Sequence, residues 1–218
     1  MASPPLRFYF DYISPYAYLA WTQMPALAAR HGRTLEPVPV LFAGLLNALG
    51  TKGPAEVPPK RLYVFKNVFR LAHGLSVPVA PPPAHPFNPL LALRVTEAVT
   101  EMEARAKVVS ALFAATWGGG QGVEGTERVG ALLSSLGLDA AALLEAAHSA
   151  EIKARVRGNT EALLAAGGFG VPSCVVEGEL FWGVDSLGHL EQFLRGEDPL
   201  RSVDLERWRD LPASASRE

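Results

Sequence analysis

The chain has 218 residues, 49% hydrophobic and 19% charged, which is enough apolar mass for a buried core and too little charge for a disordered chain. A formal net charge of −2 gives no electrostatic drive toward nucleic acid, and a single cysteine, Cys174, excludes an intrachain disulfide or a Cys-x-x-Cys redox centre. His31, His73, His85, His148 and His189 stand at no metal-ligand spacing, six prolines interrupt the weakly charged span Leu71–Leu93, and Met1–Pro5 lacks the basic start and apolar run of a signal peptide. The expectation is a soluble cytoplasmic protein with no metal, no nucleic-acid partner and no membrane span.

Arg7–Ile13 is rich in aromatic and branched residues and reads as a buried strand. Ser14-Pro15 then starts a helix, serine being a preferred N-cap and proline a preferred first residue. The helix is predicted over Pro15–Arg30, with Gly32 as its stop and Pro25 as a kink or break. Ser14 is therefore at least a cap. Its hydroxyl also lies where free N–H groups and the helix dipole favour an anion.

Leu35–Phe42 is a second strand whose two prolines place it at a sheet edge. Ala43–Pro59, crowded with Gly and Pro, reads as a loop with at most one short turn near Leu45–Leu49. Helical periodicity follows over Lys60–His73, and Asn88-Pro89 opens a helix predicted to reach Ala104. Lys107–Trp117, Gly125–Leu136, Asp139–Ala147 and Ala150–Ala166 continue the helical run. Strand composition returns from Val171, with Glu177-Gly178-Glu179 as a hairpin turn, and Asp185-Ser186 can cap a last helix through Leu194. Glu206–Glu218 is read as a loosely attached tail. Removing the helical block leaves βαβ–ββα, a thioredoxin-like α/β order. Residues 1–59 with 167–218 are expected to form that domain, and 60–166 an inserted all-helical subdomain.

Phe10–Tyr18 (FDYISPYAY) and Gly170–Leu187 (GVPSCVVEGELFWGVDSL) resemble the two signature regions of the 2-hydroxychromene-2-carboxylate isomerases. These are DsbA-like thioredoxin-fold relatives of the kappa-class glutathione transferases. The likeness extends through Val57–Ala72 and Pro86–Arg94 and covers most of residues 7–195. Ser14-Pro15-Tyr16-Ala17 stands where the disulfide oxidoreductases carry Cys-x-x-Cys, so thiol–disulfide exchange at this loop is chemically excluded.

The resemblance implies that the Ser14 hydroxyl donates a hydrogen bond to the sulfur of bound glutathione. It implies that Pro172 is a cis-proline whose preceding residue, Val171, pairs with the peptide part of that cofactor. Asp185 is implied to hold the γ-glutamyl amine, and Lys60 to reach glutathione from the start of the helical block. Locally the same residues also read as a strand-entry proline, a helix cap and a solvated charge. Tyr16 and Tyr63 are candidates to flank a substrate ring, and Asn88 and Arg94 to meet a substrate carboxylate. The structural readings are favoured for all four: core packing for the tyrosines, a helix cap for Asn88, and for Arg94 a tie between the subdomain and its neighbour. Thr51 and Ser186 depart from the family pattern, an asparagine and an arginine being common there, and each change removes a polar contact. Cys174 reads as a buried, inert thiol.

The function implied is a glutathione-dependent isomerase for 2-hydroxychromene-2-carboxylate or a related aromatic-degradation oxo-acid, working as a homodimer. A kappa-like transferase conjugating electrophiles, and a non-catalytic thiol- or peptide-binding module, are the alternatives.

Overall fold

The computed structural model describes residues 3–212, 214 and 215. Strand β1 (Leu6–Phe10) pairs in parallel with β2 (Leu35–Pro39) and antiparallel with β3 (Ser173–Val176), which pairs antiparallel with β4 (Glu179–Trp182). The order is β2-β1-β3-β4, so β2 with Pro37 and Pro39 is an edge strand, as its prolines require. Alternation along β1 sends Leu6, Phe8 and Phe10 into the larger core and Tyr9 into a smaller cluster on the opposite face.

Helix α1 (Pro15–Arg30) covers the first face, with Trp21 tilted against Phe8 and Phe10 at ring distances of 5.6 and 6.4 Å. Each such buried aromatic contributes roughly 1.5–3 kcal/mol through removal from water. Pro25 does not break α1. It is exposed, and the helix runs on through it to Arg30.

Several boundaries differ from the sequence expectation: both first strands are shorter, β1 ending at Phe10 instead of Ile13 and β2 at Pro39 instead of Phe42. The stretch read as a loop after β2 contains an eight-residue helix, α2 (Phe42–Leu49), ended by Gly50 in the left-handed region at φ 61°. Gly44 misleads because its role is packing: a Cβ there would sit 3.3 Å from that of Leu41. Helix α3 (Pro58–Leu75) then leads to α4 (Leu90–Ala98), which stops well short of Ala104. Glu101 interrupts the run by accepting the N–H groups of Glu103 and Ala104, and so caps α5 (Met102–Trp117).

Helices α6 (Thr126–Ser135), α7 (Ala140–His148) and α8 (Ala150–Ala165) complete the segment between β2 and β3. A buried network fixes this segment to the sheet. Glu97 receives Arg105 at 3.5 Å and Arg155 at 2.7 Å, and Asn159 donates both to Glu97 and to the carbonyl of Pro39 on β2. Past β4 a short 3-10 turn, Val184–Ser186, precedes α9 (Leu187–Leu194). The segment expected as a loosely attached tail carries the one-turn helix α10 (Glu206–Arg209) and exposes Trp208 and Leu211; residues 213 and 216–218 of that tail lie outside the described residues.

Candidate active site

Ser14 sits between β1 and α1 in extended conformation, at φ −92° and ψ 114°. Its Oγ accepts the N–H of Ala17 at 3.2 Å, so it is a true N-cap, and Pro15 follows at the first helical position. The same hydroxyl donates across the chain to the carbonyl of Val171, at 3.4 Å. That distance is long for an O–H···O bond, so the proton can be redirected to a stronger acceptor at little cost. No acidic residue lies in the first turn of α1 to compete with an incoming anion.

The loop before Ser14 is held on every side. Asp11 is 2% exposed and accepts the N–H of Ile13 at 3.1 Å and of Phe42, the first residue of α2, at 3.0 Å. Burial pushes its carboxyl up to about 6, against the pull of those two bonds. Trp117 Nε1 donates to the Tyr12 carbonyl at 2.8 Å. Thr96 uses its own proton on Ala92, so the Tyr12 hydroxyl donates to Thr96 Oγ1 at 2.7 Å. The Ile13 carbonyl can only accept, so His85 Nε2, at 3.1 Å, carries the proton there and Nδ1 is left bare, buried and without a partner among the described residues. Burial among Phe65, Phe87 and Trp117 holds the imidazole below its ordinary pKa and therefore neutral.

The Val171–Pro172 peptide is cis, as the resemblance implied, and the fold brings Val171 against Ser14 although 157 residues separate them. The Pro172 carbonyl accepts the N–H of Gly183, which carries the end of β4 and Asp185 to the same end of the sheet. Asp185 and Lys60, the third residue of α3, are both exposed, and among the described residues neither side chain has a hydrogen-bond or ionic partner. Beside the proline loop, Phe169 and Trp182 pack as a tilted pair with centroids 4.9 Å apart, and a Cβ on Gly170 would lie 2.6 Å from the indole nitrogen.

The four substrate candidates separate. Tyr16, in the first turn of α1, is half-buried and its Oη accepts from Asn67 Nδ2 of α3 at 3.1 Å. Tyr63 stands one turn earlier on α3, 62% exposed. Asn88 is used structurally: its Oδ1 takes the N–H of Leu90 at the start of α4, while Glu124 takes its own N–H. Arg94 is half-buried on α4. Thr51 lies exposed just past α2. Cys174 is 3% exposed and burial pushes its thiol up to about 12, so it is inert as expected.

Sequence reasoning missed Asp11, Asn67, His85 and Trp117. Asp11 carried a usable signal, a carboxylate inside an apolar aromatic run. The other three act through partners 51 to 105 residues away and had none.

A parallel–antiparallel sheet with a serine-capped helix facing a cis-proline defines a thioredoxin-fold protein with Ser14 at the start of its first helix. The family model of the DSBA-like thioredoxin domain matches residues 5–195, and the chain belongs to that family, among its 2-hydroxychromene-2-carboxylate isomerases. It is 32% identical over 192 residues to 2-hydroxychromene-2-carboxylate isomerase of Sphingobium xenophagum, covering 87% of this chain and 97% of that one. Glutathione S-transferase kappa 1 of Rattus norvegicus is 26% identical over 206 residues, 88% of this chain and 91% of the transferase. A solved structure of 2-hydroxychromene-2-carboxylate isomerase superposes with a TM-score of 0.81 at 26% identity, covering 88% of this chain and 94% of its own.

Proposed function

We propose that this enzyme is a glutathione-dependent isomerase acting on 2-hydroxychromene-2-carboxylate or a related aromatic oxo-acid. The observation that carries the reading is the Ser14 hydroxyl, poised on a long bond to Val171 at the N-terminus of a sixteen-residue helix. Bound glutathione would supply a thiolate that adds reversibly to a conjugated carbon–carbon double bond, freeing it to rotate.

The chain's own residues account for the rest. Lowering a thiol's pKa by about two units requires roughly 2.7 kcal/mol in favour of the thiolate. A hydrogen bond to a charged acceptor gives ~1.5–3 kcal/mol, and a helix N-terminus ~0.3–1, rising to ~2 when partly buried. Ser14 and α1 together cover the shift. The backbone at Val171 is available to the peptide part, Asp185 to its ammonium and Lys60 to a carboxylate.

Charge supports an anionic pair of ligands. Between Glu56 and Glu97 the chain has no acidic residue and five basic ones, Lys60, Arg61, Lys66, Arg70 and Arg94. Arg61 is spent on the His85 carbonyl, while Lys60, Lys66 and Arg70 line exposed α3 without ionic partners among the described residues.

Mixing the purified protein with 2-hydroxychromene-2-carboxylate, with and without glutathione, tests the reading. A thiol-dependent rise in ring-opened product is expected, and its absence sinks the proposal. The kappa-class relatives supply the second reading. Conjugate that accumulates in place of thiol regenerated each turnover would identify a transferase.

A further inference from the structure

We infer that Tyr16 is a second hydrogen-bond donor of the active site, directed at the oxygen that becomes negative in the substrate, and that Asn67 is its positioning residue. The inference rests on the reaction class proposed above. A phenol has one proton and two acceptor lone pairs. Asn67 Nδ2 occupies an acceptor position of Tyr16 Oη at 3.1 Å, so that contact leaves the phenolic proton uncommitted. Among the described residues the proton has no other acceptor, and the ring is only half-buried.

Place matters as much as valence. Tyr16 is two residues from Ser14, in the first turn of α1, where α3 packs across it. On α3, Tyr63, Asn67 and Arg70 recur at the spacing of one helix edge, so the edge that fixes Tyr16 also carries a cation, Arg70, exposed and without an ionic partner among the described residues. A carboxylated substrate held by that cation presents its neighbouring ketone oxygen to the same side.

Conjugate addition needs such a donor. As the carbon–sulfur bond forms, the acceptor's C=C pair moves to the adjoining carbon–carbon bond and the carbonyl π pair settles on the ketone oxygen. When the carbon–sulfur bond breaks, both pairs return, so no proton, oxidant or reductant is consumed. Ser14 is committed to sulfur, and the ketone oxygen would face no other O–H from the Ser14–Ala17 turn. Donation by Asn67 into Tyr16 Oη also polarises the phenol toward giving its own hydrogen bond. Removing one donor of this kind costs about 10²–10³-fold in kcat.

The test uses Tyr16→Phe, Asn67→Asp and Asn67→Ala in the intact protein. Two readouts are needed: thiol-dependent isomerisation, and the absorption band of added 4-nitrophenolate, which moves to shorter wavelength when its oxygen receives a hydrogen bond. Tyr16→Phe is expected to lower kcat about 10²–10³-fold with the half-saturating glutathione concentration unchanged, and to abolish the band shift. An aspartate at 67 can only accept, so Asn67→Asp draws the phenolic proton away and matches Tyr16→Phe, whereas Asn67→Ala falls between it and wild type. Full activity and an unaltered band shift in Tyr16→Phe overturn the inference. So does a fully active Asn67→Asp, which would mean that the phenol donates to residue 67. Should the wild type fail to isomerise the chromene acid, the proposed function falls, while the difference in band shift between wild type and Tyr16→Phe still decides the donor.

Discussion

Replacing Ser14 by alanine removes one oxygen with two distinct jobs, and the structure separates their sizes. As a cap, Oγ satisfies the N–H of Ala17, and its loss costs about 1 kcal/mol. In a domain of this length that lowers Tm by about 2–4 °C. As a donor to a thiolate, the hydroxyl contributes ~1.5–3 kcal/mol, which is about one to two units in the pKa of the bound thiol. The helix N-terminus survives the substitution, so part of the thiolate stabilisation remains. The assay is a pH titration of thiolate absorbance near 240 nm with saturating glutathione, run for wild type, Ser14→Ala and Ser14→Gly. Glycine is tolerated at an N-cap with a loss of only a few tenths of a kcal/mol, so Ser14→Gly should keep most of the stability and still lose the shift. Both variants are expected to titrate about one to two units higher than wild type. Identical titration in all three, with glutathione demonstrably bound, would refute the role given to Ser14.

Asp11 sets a pH dependence of opposite sense to that of an ordinary paired carboxylate. Its pKa rises from 3.8 to about 6 on folding, so its contribution to stability is full below 3.8 and is lost as pH rises through about 6. The change is about 3 kcal/mol across that window. Asp11→Asn should therefore raise the unfolding free energy measured in urea at pH 7.5 relative to that at pH 4.5, and an unchanged difference would remove Asp11 from the account. For Cys174, burial predicts no labelling by a thiol reagent such as DTNB in the native protein and one equivalent after guanidinium unfolding. Rapid native labelling would contradict it.

The fold was legible wherever one local rule had no rival. Ser14-Pro15 and Gly32 bounded α1 to the residue, and Pro37 and Pro39 placed β2 at an edge. The misreading of α2 came from counting Gly44 and Gly50 alike, when the first is a close contact and the second a terminator. Pro25 was overweighted because its position on the solvent side of α1 is a tertiary fact. In the site, Ser14 was legible locally as a cap at an anion-favouring helix start, Pro172 and Asp185 came from resemblance, and the structure joins Ser14 to the proline loop through the Val171 carbonyl. Asn67 and His85 stayed invisible because an amide or an imidazole acquires meaning only from the Tyr16 hydroxyl or Ile13 carbonyl that folding sets beside it.

The acid-free stretch between Glu56 and Glu97 changes what the net charge of −2 means. With five cations in that stretch, the remainder of the chain carries −7. In dilute buffer, where the Debye length is about 30 Å, an approaching dianion senses the whole molecule and is weakly repelled. Near physiological salt the length falls to ~8 Å, the distant carboxylates fade, and what the anion meets is the positive helix alone. Salt would then first quicken capture and only later, by screening α3 itself, slow it. The protein is a macroscopic anion that carries, along α3, a run of cations.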